Sequence, residues 1–276
     1  IHPKTLLDIY CISNKENLIK STEEEKIANL YLSYINRDAV NQLGADPLKN
    51  DIAQINNIQS KDDLWEYFSL SVKKGLSSPI YFAVYDDLKD PLNYTIYFGQ
   101  SGLGLPDRDY YLLDQPHYIK GRDKYPLHLK NLFNLAGIKD ADLKASNAFD
   151  VEKELAEIQI SRTERRDPEK TYNPMNTKEL SNLSDGKFSI WLEGLEIQYF
   201  NRYIIESPKY MSALVKLIDE YPIDKWKDYL LARLVKSASG SLSDDFVEES
   251  YRFSSILTGR EAVSYTHLTL PTTMLV

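Results

Sequence analysis

The sequence predicts a mainly α-helical fold, namely a multi-helix lobe with one inserted β-hairpin at about residues 80–98. Composition first indicates a globular chain that can bury a core, since 42% of the residues are hydrophobic and 27% are charged. Only 11 of the 276 residues are glycine, below the ~7% of an average protein, which favours helices over tightly turned sheets. Apolar residues also recur at helical spacing along most of the chain.

The first half of the chain carries four apolar stripes at that spacing. Ser21 and Thr22 precede Glu24 and Glu25 by three residues, which is the spacing of a capping box, and Ser60 precedes Asp63 in the same way. Gly137 is placed to end the third helix. The stripes comprise Ile27, Leu30, Tyr31, Tyr34 and Ile35; Leu64, Phe68 and Val72; Leu129, Leu132, Phe133 and Ala136; and Val151, Leu155 and Ile158.

The second half of the chain predicts three further helices. Ser207 before Pro208 combines an N-cap residue with proline at the first helical position. The last helix is predicted from Ser243 to Leu257. The apolar faces of the other two comprise Met211, Leu214, Val215 and Ile218, and then Trp226, Tyr229, Leu230 and Leu234.

A single stretch interrupts the helical pattern and predicts the hairpin. Residues 80–85 and 94–98 are rich in aromatic and β-branched side chains, which favour strands. Turn-forming residues, including Asp86, Asp87 and Pro91, lie between them. We find no internal repeat and no flexible linker, so the helices and the hairpin are predicted to form one lobe.

Charge and hydropathy restrict the partners of this chain. The net charge of −8 and the isoelectric point near 5.2 disfavour binding to a phosphate backbone. The densest basic segment holds Arg162, Arg165 and Arg166, but Glu164 and Asp167 interrupt and follow it. We therefore predict no nucleic-acid partner. No apolar run approaches the ~18 residues of a membrane helix, so no transmembrane segment is predicted in this chain.

The sequence offers no recognisable catalytic or metal-binding set. The four histidines are His2, His117, His128 and His267, and no His-Glu-x-x-His is present. Cys11 is the only cysteine, so a thiolate metal site is excluded. The pair of glycines at 102 and 104 lacks the third glycine of a dinucleotide loop. We accordingly assign no catalytic, cofactor-binding or metal-binding residue within the chain.

One segment does stand out, residues 100–112, which reads QSGLGLPDRDYYL. It resembles the corresponding segment of the neprilysin family of zinc metalloendopeptidases, which includes endothelin-converting enzyme and bacterial oligopeptidases. Other matching motifs follow in the order of that family, and together they extend from about residue 21 to residue 260. They comprise Ile35-Asn36, residues 44–48 (GADPL), residues 152–155 (EKEL), residues 166–168 (RDP), residues 172–175 (YNPM), residues 207–210 (SPKY) and residues 253–259.

The resemblance implies a function for the complete protein. Residues 1–260 would form the helical N-terminal lobe that caps the catalytic cleft of a zinc metalloendopeptidase and restricts entry to oligopeptides. The Zn²⁺ would be held by a C-terminal catalytic half of the same polypeptide and not by this chain. The family also implies an extracytoplasmic location, in the periplasm or at the cell surface. The alternative is a non-catalytic helical binding module that has lost the peptidase half.

The end of the chain and Arg108 each have two interpretations from the sequence. Residues 262–276 contain no Asp, Glu, Lys or Arg, although charged residues are frequent elsewhere. We expect residues 261–276 to be an atypical tail at a truncation rather than part of the family fold, and the alternative is a β-strand at the edge of the domain. Arg108 lies between Asp107 and Asp109 and is predicted to pair with them. That pairing would give the segment a structural role, and direct contact with substrate is the other possibility.

Overall fold

The computed structural model describes residues 26–27, 29–30 and 36–259, and residues 36–259 contain twelve α-helices and four β-strands. The helices are α1 Arg37–Leu43, α2 Lys49–Asn56, α3 Lys61–Lys73, α4 Asp109–Leu112, α5 Pro116–Leu135, α6 Ala141–Ile158, α7 Pro168–Thr171, α8 Thr177–Leu183, α9 Lys187–Gly194, α10 Pro208–Glu220, α11 Ile223–Ala238 and α12 Asp244–Thr258. The strands are β1 Ile80–Asp87, β2 Asp90–Gln100, β3 Asn173–Met175 and β4 Tyr203–Ile205. The mainly α-helical prediction is confirmed.

The helices begin and end where local chemistry predicts. Ser60 and Asp63 form a reciprocal capping box at the start of α3. The Ser207 hydroxyl accepts a hydrogen bond from the backbone N–H of Tyr210, and Pro208 opens α10. Gly137 follows α5 with a φ of +67°. Of the helix predicted from Ile27 to Ile35, residues 27, 29 and 30 are helical, and the rest lies outside the described residues.

The core is formed by long helices that pack around α6. Helix α6 contacts both α5 and α11, α12 packs on α5, and α3 packs on α9. Trp65, Trp191 and Trp226 are fully buried, and Phe68 meets two of them edge-on. Within the described part of the chain, no helix combines the length and the apolar character that crossing a membrane requires.

A four-stranded sheet in the order β1-β2-β4-β3 extends the predicted hairpin. Strands β1 and β2 pair antiparallel, as predicted, whereas β2 pairs parallel with the distant β4. Phe82 and Phe98 face the helices and pack on Trp191, while Tyr97 and Ile204 face the opposite side. Strands β3 and β4 have three residues each, too few for an alternating pattern, so the sequence did not reveal them.

The turn of the hairpin is tied to the strands beside it through Asp87. This carboxylate is only 2% exposed and accepts hydrogen bonds from the Tyr172 hydroxyl at 2.5 Å and from Arg202 Nη2 at 2.8 Å. Burial by itself would raise the pKa of Asp87, but these bonds and one from the backbone N–H of Lys89 lower it. Asp87 thus links the hairpin to the residues that directly precede β3 and β4.

Candidate functional site

The segment that carries the family resemblance runs from the end of β2 to α4, and side-chain amides fasten its start. The Gln100 side chain donates to the Ile160 carbonyl at 2.9 Å and accepts from the Ile160 N–H at 2.8 Å. The Gln159 amide donates to the Ser101 carbonyl at 2.8 Å. These bonds replace backbone pairing where the sheet ends, so the loop after β2 lies against the residues that follow α6.

Two glycines allow this loop to approach its neighbours closely. Gly102 has a φ of +93°, and an added Cβ would lie 2.9 Å from Pro79 Cα. Its carbonyl accepts a hydrogen bond from the Tyr229 hydroxyl at 2.9 Å. At Gly104 an added Cβ would overlap the Tyr125 hydroxyl. Both positions require glycine, the first for its backbone conformation and the second for space.

Behind the loop lies a buried carboxylate, Glu152 of α6, which is 0% exposed. It accepts hydrogen bonds from the Gly104 N–H at 2.9 Å, from the Tyr125 hydroxyl at 3.0 Å and from the Tyr111 hydroxyl. Arg233 Nη1 lies 3.5 Å from Glu152 Oε1, which makes a buried ion pair. The pKa values of Tyr111 and Tyr125 are raised well above the ordinary value, mainly by burial and secondly by the charge of Glu152.

Arg108 does not make the contacts that the sequence predicts. Its Nε donates to the Ala156 carbonyl at 3.1 Å, near the end of α6, and Asp107 Oδ1 instead accepts from the Asp109 N–H at 2.9 Å. The predicted pairing with the two aspartates is wrong because a carbonyl in the last turn of a helix has no partner inside the helix. A cation at that end also interacts favourably with the helix dipole.

The outer side of the loop forms one wall of a cleft of about 440 Å³. Three arginines line it, namely Arg108, Arg162 and Arg165. Arg165 Nη2 lies 3.9 Å from Glu206 Oε2, and burial raises the pKa of that carboxyl while Arg165 lowers it. The remaining lining residues are Tyr81, Gln100, Ser101, Gly102, Leu103, Leu105, Pro106, Asp107, Gln159 and Ile160. We name this group the arginine cleft.

The two histidines that the structure describes are not brought together. His128 on α5 is 3% exposed, stacks on Phe253, and places Nδ1 2.8 Å from Glu249 Oε1. Burial lowers the pKa of His128, although the Glu249 carboxylate opposes this shift. His117 packs beside Tyr118 at the start of α5.

The donor side chains of the described residues do not form a site for a zinc ion. Across residues 36–259, no group of three His, Cys, Asp or Glu side chains is placed to hold a metal. His2, Cys11 and His267 lie outside the described residues. We therefore derive no catalytic step through zinc from this chain's own residues.

The sequence did not identify Glu152 as the anchor of the loop. Residues 152–155 appeared only as a matching motif, yet Glu152 lies four residues from both Ala148 and Ala156, which are fully buried. Residues at that spacing share one helix face, so this position was detectable as a charge on a buried face. Its partner Arg233 gave the same kind of signal, because it lies four residues after Tyr229 and seven after Trp226 on the predicted apolar face, but the sequence does not show that the two charges meet.

Comparisons with known proteins agree with this fold. A model of Peptidase family M13 matches residues 5–267. Bovine endothelin-converting enzyme 1 is 28% identical over 255 residues, which is 87% of this chain and 33% of that protein. Neutral endopeptidase of Lactobacillus helveticus is 24% identical over 250 residues, which is 90% of this chain and 38% of that protein.

A solved structure shows the same fold. The zinc metalloprotease Zmp1 of Mycobacterium tuberculosis, in complex with an inhibitor, superposes with a TM-score of 0.85 at 23% identity, covering 95% of this chain and 40% of that one. The chain thus spans about a third of the length of the curated relatives. Because the family model matches nearly the whole sequence, the chain belongs to Peptidase family M13.

Proposed function

We propose that this chain is the N-terminal, cleft-capping lobe of a zinc metalloendopeptidase that hydrolyses oligopeptides. The observation that carries the proposal is the family match over residues 5–267 of a chain that spans 33% of endothelin-converting enzyme 1. The catalytic zinc would then belong to a C-terminal half of the same polypeptide. That half would contribute a Lewis acid and an activated water, and the lobe would limit which peptides reach them.

The packing of the lobe supports a covering role. Its long helices share one core, and the loop at residues 101–108 is fixed from behind by Glu152. A rigid lobe can exclude large substrates from a cleft, whereas a flexible one cannot. We also propose that residues 1–260 act as this unit, that no nucleic acid is involved, and that the protein is extracytoplasmic like the resembling family.

Hydrolysis of a quenched fluorescent peptide library tests the proposal. We expect no cleavage by the 276-residue chain with added zinc, and chelator-sensitive cleavage by a longer polypeptide that carries the downstream reading frame. A reading frame that stops soon after residue 260 would favour the non-catalytic binding module instead. Chelator-sensitive cleavage by the isolated chain would contradict the assignment of the catalytic zinc to the C-terminal half. Fractionation of the source cells tests the location separately.

A further inference from the structure

The arginine cleft has the opposite charge to the rest of the molecule. The chain carries a net charge of −8, yet Arg108, Arg162 and Arg165 converge on one concave surface. Among the described residues that line it, Asp107 is the only acidic one, and its Oδ1 already accepts a hydrogen bond from the N–H of Asp109. A cleft lined by one sign of charge concentrates ligands of the opposite sign.

The guanidinium groups of this cleft have unused hydrogen-bond donors. Each arginine carries five N–H donors. Arg162 forms no hydrogen bond or ion pair with any other residue that the structure describes. Arg165 approaches Glu206 only to 3.9 Å, which is too long for a hydrogen bond. Arg108 uses its Nε for the Ala156 carbonyl and leaves its two terminal nitrogens for other partners.

The walls of the cleft fit a peptide better than a small inorganic ion. A volume of about 440 Å³ falls within the ~300–1,000 Å³ of ordinary ligand sites. Leu103, Leu105 and Ile160 contribute apolar surface, and the ring of Tyr81 adds an aromatic edge. The Tyr81 hydroxyl donates a hydrogen bond to the Tyr85 hydroxyl at 3.1 Å. The amides of Gln100 and Gln159 are engaged with backbone groups, so they hold the wall in place.

We propose that the arginine cleft binds a carboxylate of an oligopeptide, with Arg162 and Arg165 as the direct ligands. A planar guanidinium matches a carboxylate with two parallel hydrogen bonds, which an isolated surface charge does not provide. Glu206 competes for Arg165 and limits the affinity. The peptide as ligand rests on the proposed function, whereas the carboxylate selectivity follows from the three arginines.

Fluorescence anisotropy of a labelled tetraglutamate peptide, titrated with the 276-residue chain, tests the proposal without zinc or hydrolysis. We expect saturable binding that a labelled tetraglutamine peptide does not show. Arg162→Gln and Arg165→Gln are each expected to weaken binding about fivefold or more. Arg166→Gln is the matched control, because Arg166 is exposed and does not line the cleft, and it should change affinity less than about twofold. Circular dichroism verifies that each variant is folded.

The Glu206→Gln variant adds an opposite prediction. Removing this carboxylate frees Arg165, so tetraglutamate should bind more tightly than to the parent chain. The proposal would be overturned by the absence of saturable binding, or by equal losses of affinity in Arg162→Gln, Arg165→Gln and the control Arg166→Gln. It would also be overturned if inorganic phosphate displaced the labelled peptide at the same concentrations as free tetraglutamate. Because this experiment does not measure hydrolysis, none of these binding results would contradict the proposed role of the chain as a lobe of a peptidase. Failure of the longer polypeptide to cleave peptides would contradict the proposed peptidase function, but it would not contradict carboxylate binding in the arginine cleft.

Discussion

Replacing Glu152 by Gln tests whether the buried ion pair holds the loop in place. The substitution keeps the size of the side chain and removes its charge. Arg233 would then lose its partner at 3.5 Å, and its Nε and Nη1 already have no hydrogen bond. The hydroxyls of Tyr111 and Tyr125 would exchange a carboxylate acceptor for a weaker amide.

The expected loss of unfolding free energy is about 3–5 kcal/mol, the usual cost of leaving one member of a buried pair uncompensated. This is a large part of the ~5–15 kcal/mol that stabilises a typical domain. Urea unfolding followed by tryptophan fluorescence measures it by linear extrapolation. Glu157→Gln is the matched control, because Glu157 is exposed on the same helix, and it should shift stability by less than ~0.5 kcal/mol.

A double substitution separates the ion pair from the hydrogen bonds. Arg233→Met alone strands the charge of Glu152, so it should also be strongly destabilising. The combination of Glu152→Gln with Arg233→Met should cost ~1–3 kcal/mol less than the sum of the two, because contacting residues couple. Additive losses, or a Glu152→Gln variant as stable as Glu157→Gln, would show that the ion pair does not hold the loop in place.

Three further predictions concern the same region and α5. Arg108→Ala should cost about 1.5–3 kcal/mol through loss of the charged hydrogen bond to the Ala156 carbonyl; an unchanged urea midpoint would refute it. Gly104→Ala should cost at least ~1–3 kcal/mol, seen as a lower melting temperature, because its methyl group overlaps the Tyr125 hydroxyl. Burial lowers the pKa of His128 in the folded state, so just below pH ~6.5 the unfolded chain binds a proton at this imidazole that the folded chain does not bind. Stability should therefore fall as pH decreases below the unfolded value of ~6.5, and His128→Gln should flatten that slope in urea titrations at several pH values.

The parts of the fold that the sequence predicted are those with local causes. The capping box of Ser60 and Asp63, the Ser207-Pro208 start and the hairpin at residues 80–98 each depend on neighbours within a few positions. Apolar stripes predicted the buried helix faces for the same reason. Strand β4 depends instead on pairing with β2, from which it is separated by six of the twelve helices, and three residues carry too little pattern to reveal it.

The candidate site was less predictable because its contacts join distant parts of the chain. The triplet of charges at Asp107, Arg108 and Asp109 suggested a local pairing, since adjacent opposite charges are the only partners that a sequence displays. The actual partner is a backbone carbonyl at the end of α6, which no side-chain pattern encodes. Likewise, Arg162 and Arg165 read as a solvated mixed-charge segment, and only the fold brings them beside Arg108.

The loop after β2 therefore has two faces with separable roles. Its inner N–H groups at Gly104 and Leu105 bind Tyr111, and Gly104 also binds Glu152, whereas its outer residues reach the cleft through Arg108. Substitutions on the inner face should change both stability and peptide binding, because Arg108 is placed by the same loop. Substitutions at Arg162 should change binding alone. A segment whose inner face is fixed by a buried charge presents its outer face without further ordering cost, which is the condition for a preorganised binding surface.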